Sequence, residues 1–184
     1  MGEVLAIHEL DQVFGTLHQR IRVKRGSLFS LDDANNNNLI FVGSPSENLT
    51  LSALPSTQEF IFQRVSEGPR KGDLAIANVH PQAGEAKFFL ASPSGTPLTE
   101  DYAVVALMPG IDARRWLMVL AGTTTFGTQG AVQFVCSQSS VESLLAALSA
   151  SGSGEPKSFE AVVRVKIALG VPVEMELAAF RRRS

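Results

Sequence analysis

The sequence predicts a mixed fold of the α/β or α+β class, in which a mixed β-sheet is sandwiched by helices and the chain closes on a C-terminal antiparallel hairpin. Three observations carry this. Apolar residues recur at helical steps in 4–17 and 139–149; they run unbroken or alternate at period two in 39–42, 102–108, 116–121 and 159–177; and the two kinds of segment interleave along the chain. A length of 184 residues suits one domain over 1–184 with one sizeable core. A hydrophobic share of 45% against 18% charged residues excludes a disordered tail or a collagen. A net charge of -2 gives no global field toward nucleic acid or an anionic membrane, so neither is an expected partner. The single cysteine, Cys136, has no internal disulfide partner. The first residues lack a signal-peptide pattern, and the longest apolar runs fall short of the ~20 residues of a membrane span. A cytoplasmic protein is therefore expected.

Each element has its own reason. Val4, Ile7, Leu10, Phe14 and Leu17 recur at three- and four-residue steps, which predicts a first helix in need of a partner surface. Residues 20–25 alternate, with Ile21 and Val23 on one face and Arg20, Arg22 and Lys24 on the other, and read as a short strand with a wet basic face. Ser30 followed by Asp33 marks the N-cap of a short helix that the run Asn35 to Asn38 ends. Leu39-Ile40-Phe41-Val42 lacks alternation and is bounded by turn residues, as in a strand buried on both faces. The turn Gly43 to Asn48 would open a short helix over 49–54. Strands are expected at 60–62, 74–77 and 87–90, then at 102–108 and 116–121, the last two joined as a hairpin around Pro109-Gly110.

Residues 122–136 read as a strand end, a glycine turn and a helix. A second helix at 139–149 carries Val141, Leu144, Leu145 and Leu148 at helical spacing, and small residues over 149–154 make a flexible connection. In the final pair, Phe159, Ala161, Val163, Val165 and Ile167 alternate with Glu160, Arg164 and Lys166, while Val173, Met175 and Leu177 alternate with Glu174 and Glu176. A hairpin turning at Gly170 sets Lys166 opposite Glu174 and Arg164 opposite Glu176. Arg181-Arg182-Arg183 reads as a solvated end. The order of elements suggests a Rossmann-like three-layer architecture.

Four stretches, taken together, point to one group: Gly2-Glu-Val-Leu-Ala-Ile-His-Glu-Leu10, Asn38-Leu-Ile-Phe-Val-Gly-Ser-Pro-Ser-Glu-Asn48, Asp101-Tyr-Ala-Val-Val105 and Ala121-Gly-Thr-Thr-Thr-Phe-Gly-Thr-Gln-Gly-Ala131. In this order they resemble the C-terminal α/β domain of bacterial winged-helix regulator-like proteins of the acidobacteria. The resemblance spans roughly residues 2 to 181 and rests on small and apolar residues, with no catalytic signature. It implies a regulatory or sensory domain. The winged helix of that group has no counterpart in these 184 residues, so DNA binding is not carried over.

Gly43–Asn48 and Gly122–Gly130 each follow a buried strand and precede a helix. If 39–42 and 116–121 are parallel neighbours, both turns leave the sheet at the same end, where the N–H groups of Ser44, Thr123 and Thr124 converge. The candidate ligand-binding residues are thus Gly43, Ser44, Ser46, Asn48, Gly122, Thr123, Thr124, Gly127 and Thr128, a cradle for phosphate or carboxylate. Gly122-x4-Gly127 has the glycine spacing of a phosphate loop, but Thr128 stands where the lysine belongs and Gln129 follows, which argues against a Walker site. The same residues serve equally as turn glycines and helix caps with no ligand.

No catalytic residue, cofactor or metal is expected. His8 and His18 lie about 80° out of line on a helix, and His80 sits beside Pro81. Cys136 ends an apolar run and reads as a buried, inert thiol. Glu100 and Asp101 are neighbours on a strand, point to opposite faces and make a poor acid/base dyad. The sequon Asn48-Leu49-Thr50 matters only in a secretory compartment. Three readings of function follow: a regulatory or sensory domain binding a small anionic ligand or a protein partner, which includes a homodimer; an enzyme acting on a phosphorylated or nucleotide-like substrate; and a structural interaction domain.

Overall fold

Residues 100–109 and 159–168 form ten-residue strands that are mostly buried, and hydrophobic burial puts them in the interior of a five-stranded sheet. The computed structural model describes residues 2–44, 56–149 and 158–183. Its helices are α1 (Gly2–Thr16), α2 (Leu31–Asn36), α3 (Thr125–Cys136) and α4 (Gln138–Ser149), with a 3-10 turn at Gly26–Leu28. Its strands are β1 (Leu39–Val42), β2 (Phe60–Arg64), β3 (Leu74–Asn78), β4 (Phe88–Leu90), β5 (Glu100–Pro109), β6 (Trp116–Gly122), β7 (Phe159–Ala168) and β8 (Val171–Arg182).

The large sheet has the order β1-β6-β5-β7-β8; β1 is parallel to β6 and the other pairs are antiparallel. A second, antiparallel sheet has the order β2-β3-β4. The class is therefore mixed, as expected.

Alternation along β5 and β7 divides the core in two. Ala103, Val105, Ala161, Val163 and Val165 face Ala6 and Leu10 of α1, Ala131, Val132 and Phe134 of α3, and Leu144 of α4. Val104, Ala106, Met108 and Val162 face the other way, onto Phe60, Ile76 and Phe89 of the small sheet and Ala34 of α2. Three helices cover one face of the large sheet. On the opposite face the main cover is the small sheet, because β2 and β3 satisfy their ladders with each other, Phe60 opposite Asn78 through Arg64 opposite Leu74. A buried carboxylate ties that sheet down. Glu160, fully buried on β7, accepts from the N–H groups of Gln58 (2.8 Å), Glu59 (2.9 Å) and Phe60 (3.1 Å), with Arg183 Nη1 at 3.4 Å.

The terminal hairpin has the expected register, Arg164 opposite Glu176 and Lys166 opposite Glu174. Leu169 (φ 52) and Gly170 (φ 74) form its two-residue turn, both with positive φ as a primed turn requires. The Ser30 cap is a full capping box: Asp33 N–H donates to Ser30 Oγ at 3.3 Å and Ser30 N–H to Asp33 Oδ2 at 3.0 Å.

Three expectations are corrected. Leu39–Val42 is an edge strand whose residues are each only partly buried, and Arg181–Arg183 is no solvated end, since β8 carries the buried Arg181 into an ion pair with Glu85 and Arg183 reaches Glu160. Residues 20–25 are extended but join no ladder, since α1 ends on His18 in the left-handed region (φ 55) with Gln19 N–H returning to Phe14 O, and the chain then passes β1 with a cavity between them. The helix expected at 49–54, and residues 150–154 of the expected connection, lie outside the described residues. Among the described residues no helix is long and apolar enough to cross a membrane.

Candidate functional site

The parallel pairing of β1 and β6, Leu39 opposite Leu117 through Val42 opposite Leu120, does bring Gly43 and Gly122 to the same end of the sheet. Gly43 N–H donates to Leu120 O at 3.1 Å, and its φ of 135 suits glycine. Ser44 follows it, while Ser46 and Asn48 lie outside the described residues. Gly122 N–H donates to Thr128 Oγ1 at 3.1 Å, and a Cβ on Gly122 would collide with the Thr128 amide nitrogen, so glycine lets α3 approach its own strand.

The donors that were to cradle a ligand already hold an anion of this chain. Asp101, fully buried at the start of β5, takes Gly127 N–H on Oδ2 at 2.7 Å, Thr124 Oγ1 at 2.6 Å and Thr124 N–H at 3.2 Å. Its Oδ1 takes Tyr102 N–H at 2.7 Å and the Thr123 hydroxyl. Thr123 N–H donates to Tyr102 O at 3.0 Å, and Thr128 N–H to Thr124 O at 3.1 Å. The open cradle expected at Thr123, Thr124, Gly127 and Thr128 is therefore a closed internal cap, in which a carboxylate from β5 neutralises the positive end of α3. The Glu3 carboxylate also lies beside Gly43, 3.9 Å from where its Cβ would be. An incoming anion meets two negative charges at this end of the sheet.

Glu100 does point away from Asp101. It accepts the Tyr102 hydroxyl at 2.8 Å and Arg164 Nε at 2.5 Å; burial, with the Glu100 charge added, pushes the Tyr102 phenol up to about 12. Cys136 is half-buried, and burial lifts its thiol to about 11. Among the described residues no group of three or more His, Cys, Asp and Glu side chains is placed to hold a metal ion.

A cavity lies at the β1 edge of the large sheet. It measures about 600 Å³ and is bounded by α1, the extended segment after it, and β1. Ile7, Leu10 and Phe14 come from α1, Ile40, Val42, Leu107 and Met118 from the sheet, and Ile21 and Val23 from the extended segment, so its interior is apolar. Its size falls within the ~300–1,000 Å³ of ligand pockets. The charged lining residues are Arg20, Arg22, Lys24 and Asp33, three cations to one anion. Lys24 Nζ bonds both Asp33 oxygens, at 2.6 and 2.7 Å, and together with the Ser30 contacts it holds the Asp33 carboxyl down at about 2. Arg20 and Arg22 make no hydrogen bond or ion pair to any described residue.

The period-two pattern of 20–25 marked these residues, but as a solvated strand face. The signal that distinguishes the cavity is a strand pattern without a ladder, which needs the fold. Compared with known proteins, the chain has no significant match to any protein-family model, curated protein or solved structure.

Proposed function

We propose that this chain is a regulatory or sensory domain whose ligand is a small anion with an apolar body, held in the cavity between α1, residues 19–26 and β1. The observation that carries this reading is a pair of guanidinium groups, Arg20 and Arg22, that have no partner among the described residues and line an apolar cavity. The acidobacterial regulator resemblance supplies the regulatory context. We keep the Rossmann-like comparison for one unit only, parallel β1 and β6 with α3 leaving the carboxyl end of β6, where Asp101 stands in for the ligand anion.

Magnitudes divide the labour. An eight- to ten-carbon tail burying ~200 Å² contributes about 5 kcal/mol at ~25 cal/mol per Å². An exposed guanidinium contact adds up to ~1 kcal/mol. The tail sets the affinity, and the arginines select the head group. Isothermal titration with decanoate, decanol and decyltrimethylammonium tests this: decanoate binds most tightly, the ammonium most weakly, and Arg20→Gln with Arg22→Gln removes the difference. Equal binding of all three, or of none, overturns the proposal.

A further inference from the structure

The small-anion reading leaves one property of the cavity unused: two of its walls are extended segments without a strand partner at the cavity among the described residues. Among the described residues β1 pairs with β6 on one side, and none of them bonds the backbone of Leu39–Val42 on the other. Across the cavity, Arg20–Lys24 is extended, patterned as a strand, and makes no backbone hydrogen bond to any described residue. An open sheet edge is a template for another strand, and backbone N–H and C=O groups seek partners whenever water is displaced.

We propose that an extended acidic segment of a partner protein binds here by adding a strand beside β1. This rests on the reading of the cavity as an anion site and names what carries the anion. β1 is four residues long, ~13 Å at ~3.3 Å per residue, so the added strand is of similar length. Period two then fixes its chemistry. One face is apolar, against Leu10, Phe14 and Met118, and the other carries carboxylates toward Arg20 and Arg22.

Charge excludes a second copy pairing through β1, because Leu39-Ile40-Phe41-Val42 brings no carboxylate and each arginine pair would approach its own kind. The opposite edge of the large sheet, β8, alternates acidic and apolar residues, but its Glu174 and Glu176 already face Lys166 and Arg164; of the small sheet's edges, β2 and β4, neither carries a carboxylate. The occupant is a different chain.

The test uses the full chain and a fluorescein-labelled peptide, Glu-Val-Glu-Leu-Glu-Val, followed by fluorescence anisotropy at low salt. Two further versions carry N-methyl groups on residues one, three and five, or on two, four and six; both keep every charge and side chain. Binding is expected to saturate, to fall about tenfold or more for one of the methylated versions, and to fall as far for Arg20→Glu with Arg22→Glu, whose circular dichroism should match the parent's. The peptide should also slow amide exchange in residues 39–42. Methylated peptides that both bind like the parent overturn strand addition. So does a chain that sediments as a dimer which the peptide dissociates, since the partner is then a second copy. Decanoate binding without peptide binding overturns strand addition and leaves the small-anion reading standing; peptide binding without decanoate binding does the reverse; binding of neither overturns both.

Discussion

Replacing Asp101 by Asn turns one oxygen of a fully buried carboxylate into an NH2 group inside a site built of donors. Oδ2 accepts from two amides that cannot turn, Gly127 N–H at 2.7 Å and Thr124 N–H at 3.2 Å, whereas Oδ1 accepts from one, Tyr102 N–H at 2.7 Å. The Asn amide therefore places its NH2 on the Oδ1 side, where the Thr123 hydroxyl can rotate to accept but Tyr102 N–H cannot. One buried donor left unpaired costs ~1–3 kcal/mol. The bonds that survive become neutral, and the charge that faced the start of α3 is gone, worth ~0.3–2 kcal/mol. Relief of carboxylate desolvation offsets part of this. A net loss of about 3 kcal/mol results, against the ~5–15 kcal/mol that holds a domain. With a urea m-value near ~2 kcal/mol per M, the midpoint falls by about 1.5 M. Thr124→Ala, which removes one hydroxyl donor to Asp101 and the acceptor for Phe126 N–H, should cost only ~1 kcal/mol. A midpoint shift under ~0.5 M for Asp101→Asn would refute the internal-anion account and return the turn to ligand binding.

Leu169 is fully exposed at φ 52, so Leu169→Asn should raise stability by ~0.5–1 kcal/mol in thermal denaturation. Glu176→Lys, on the wet face of the hairpin, should cost under ~1 kcal/mol, while Val165→Asp, fully buried against Gly130, should cost several; equal midpoints would refute the assigned faces. The Arg181 guanidinium holds the Glu85 carboxyl at about 2, below its ordinary 4.5, so this pair's contribution is complete above pH 4.5 and disappears as pH falls toward 2. Urea midpoints from pH 6 to 2 should accordingly drop more steeply for the parent than for Glu85→Gln; parallel curves would refute it. Cys136, lifted to about 11, should react with a bulky thiol reagent far more slowly in the native than in the unfolded protein.

Where a pattern depended only on local chemistry, the sequence announced the element. Ser30 and Asp33 are three apart and close a capping box within one turn, and the charges of Arg164, Lys166, Glu174 and Glu176 admit one hairpin register. The layering was less legible. β2, β3 and β4 look like any short strands, and whether they extend the large sheet or cover it turns on Glu160, whose carboxylate takes three consecutive amides at the entrance to β2, 100 to 102 residues upstream. A glutamate in an alternating strand normally marks the solvated face. Its burial is a tertiary fact.

The candidate site divides the same way. Glycines at 122 and 127 have the spacing of a phosphate loop, but with Gly130 they serve contact inside the chain: a Cβ at Gly127 would lie 2.5 Å from Asp101 Oδ2, and one at Gly130 would lie 2.5 Å from Val165 Cγ2. A phosphate-binding turn and a turn that receives its own aspartate need the same small residues and the same exposed amides, so residue type cannot separate them; only the identity of the anion does, and Asp101 is more than twenty positions away from the Thr124 and Gly127 amides it binds. Residues 20–25 show the converse. Alternation of Arg20, Ile21, Arg22 and Val23 specifies an extended backbone, and all four residues line the cavity. What alternation cannot specify is the partner, because a ladder is closed by a second segment with a free edge. Here the neighbouring edge strand, β1, unpaired on that side among the described residues, stands across a cavity from it, so the unfulfilled half of a correctly patterned strand is itself what marks the candidate site.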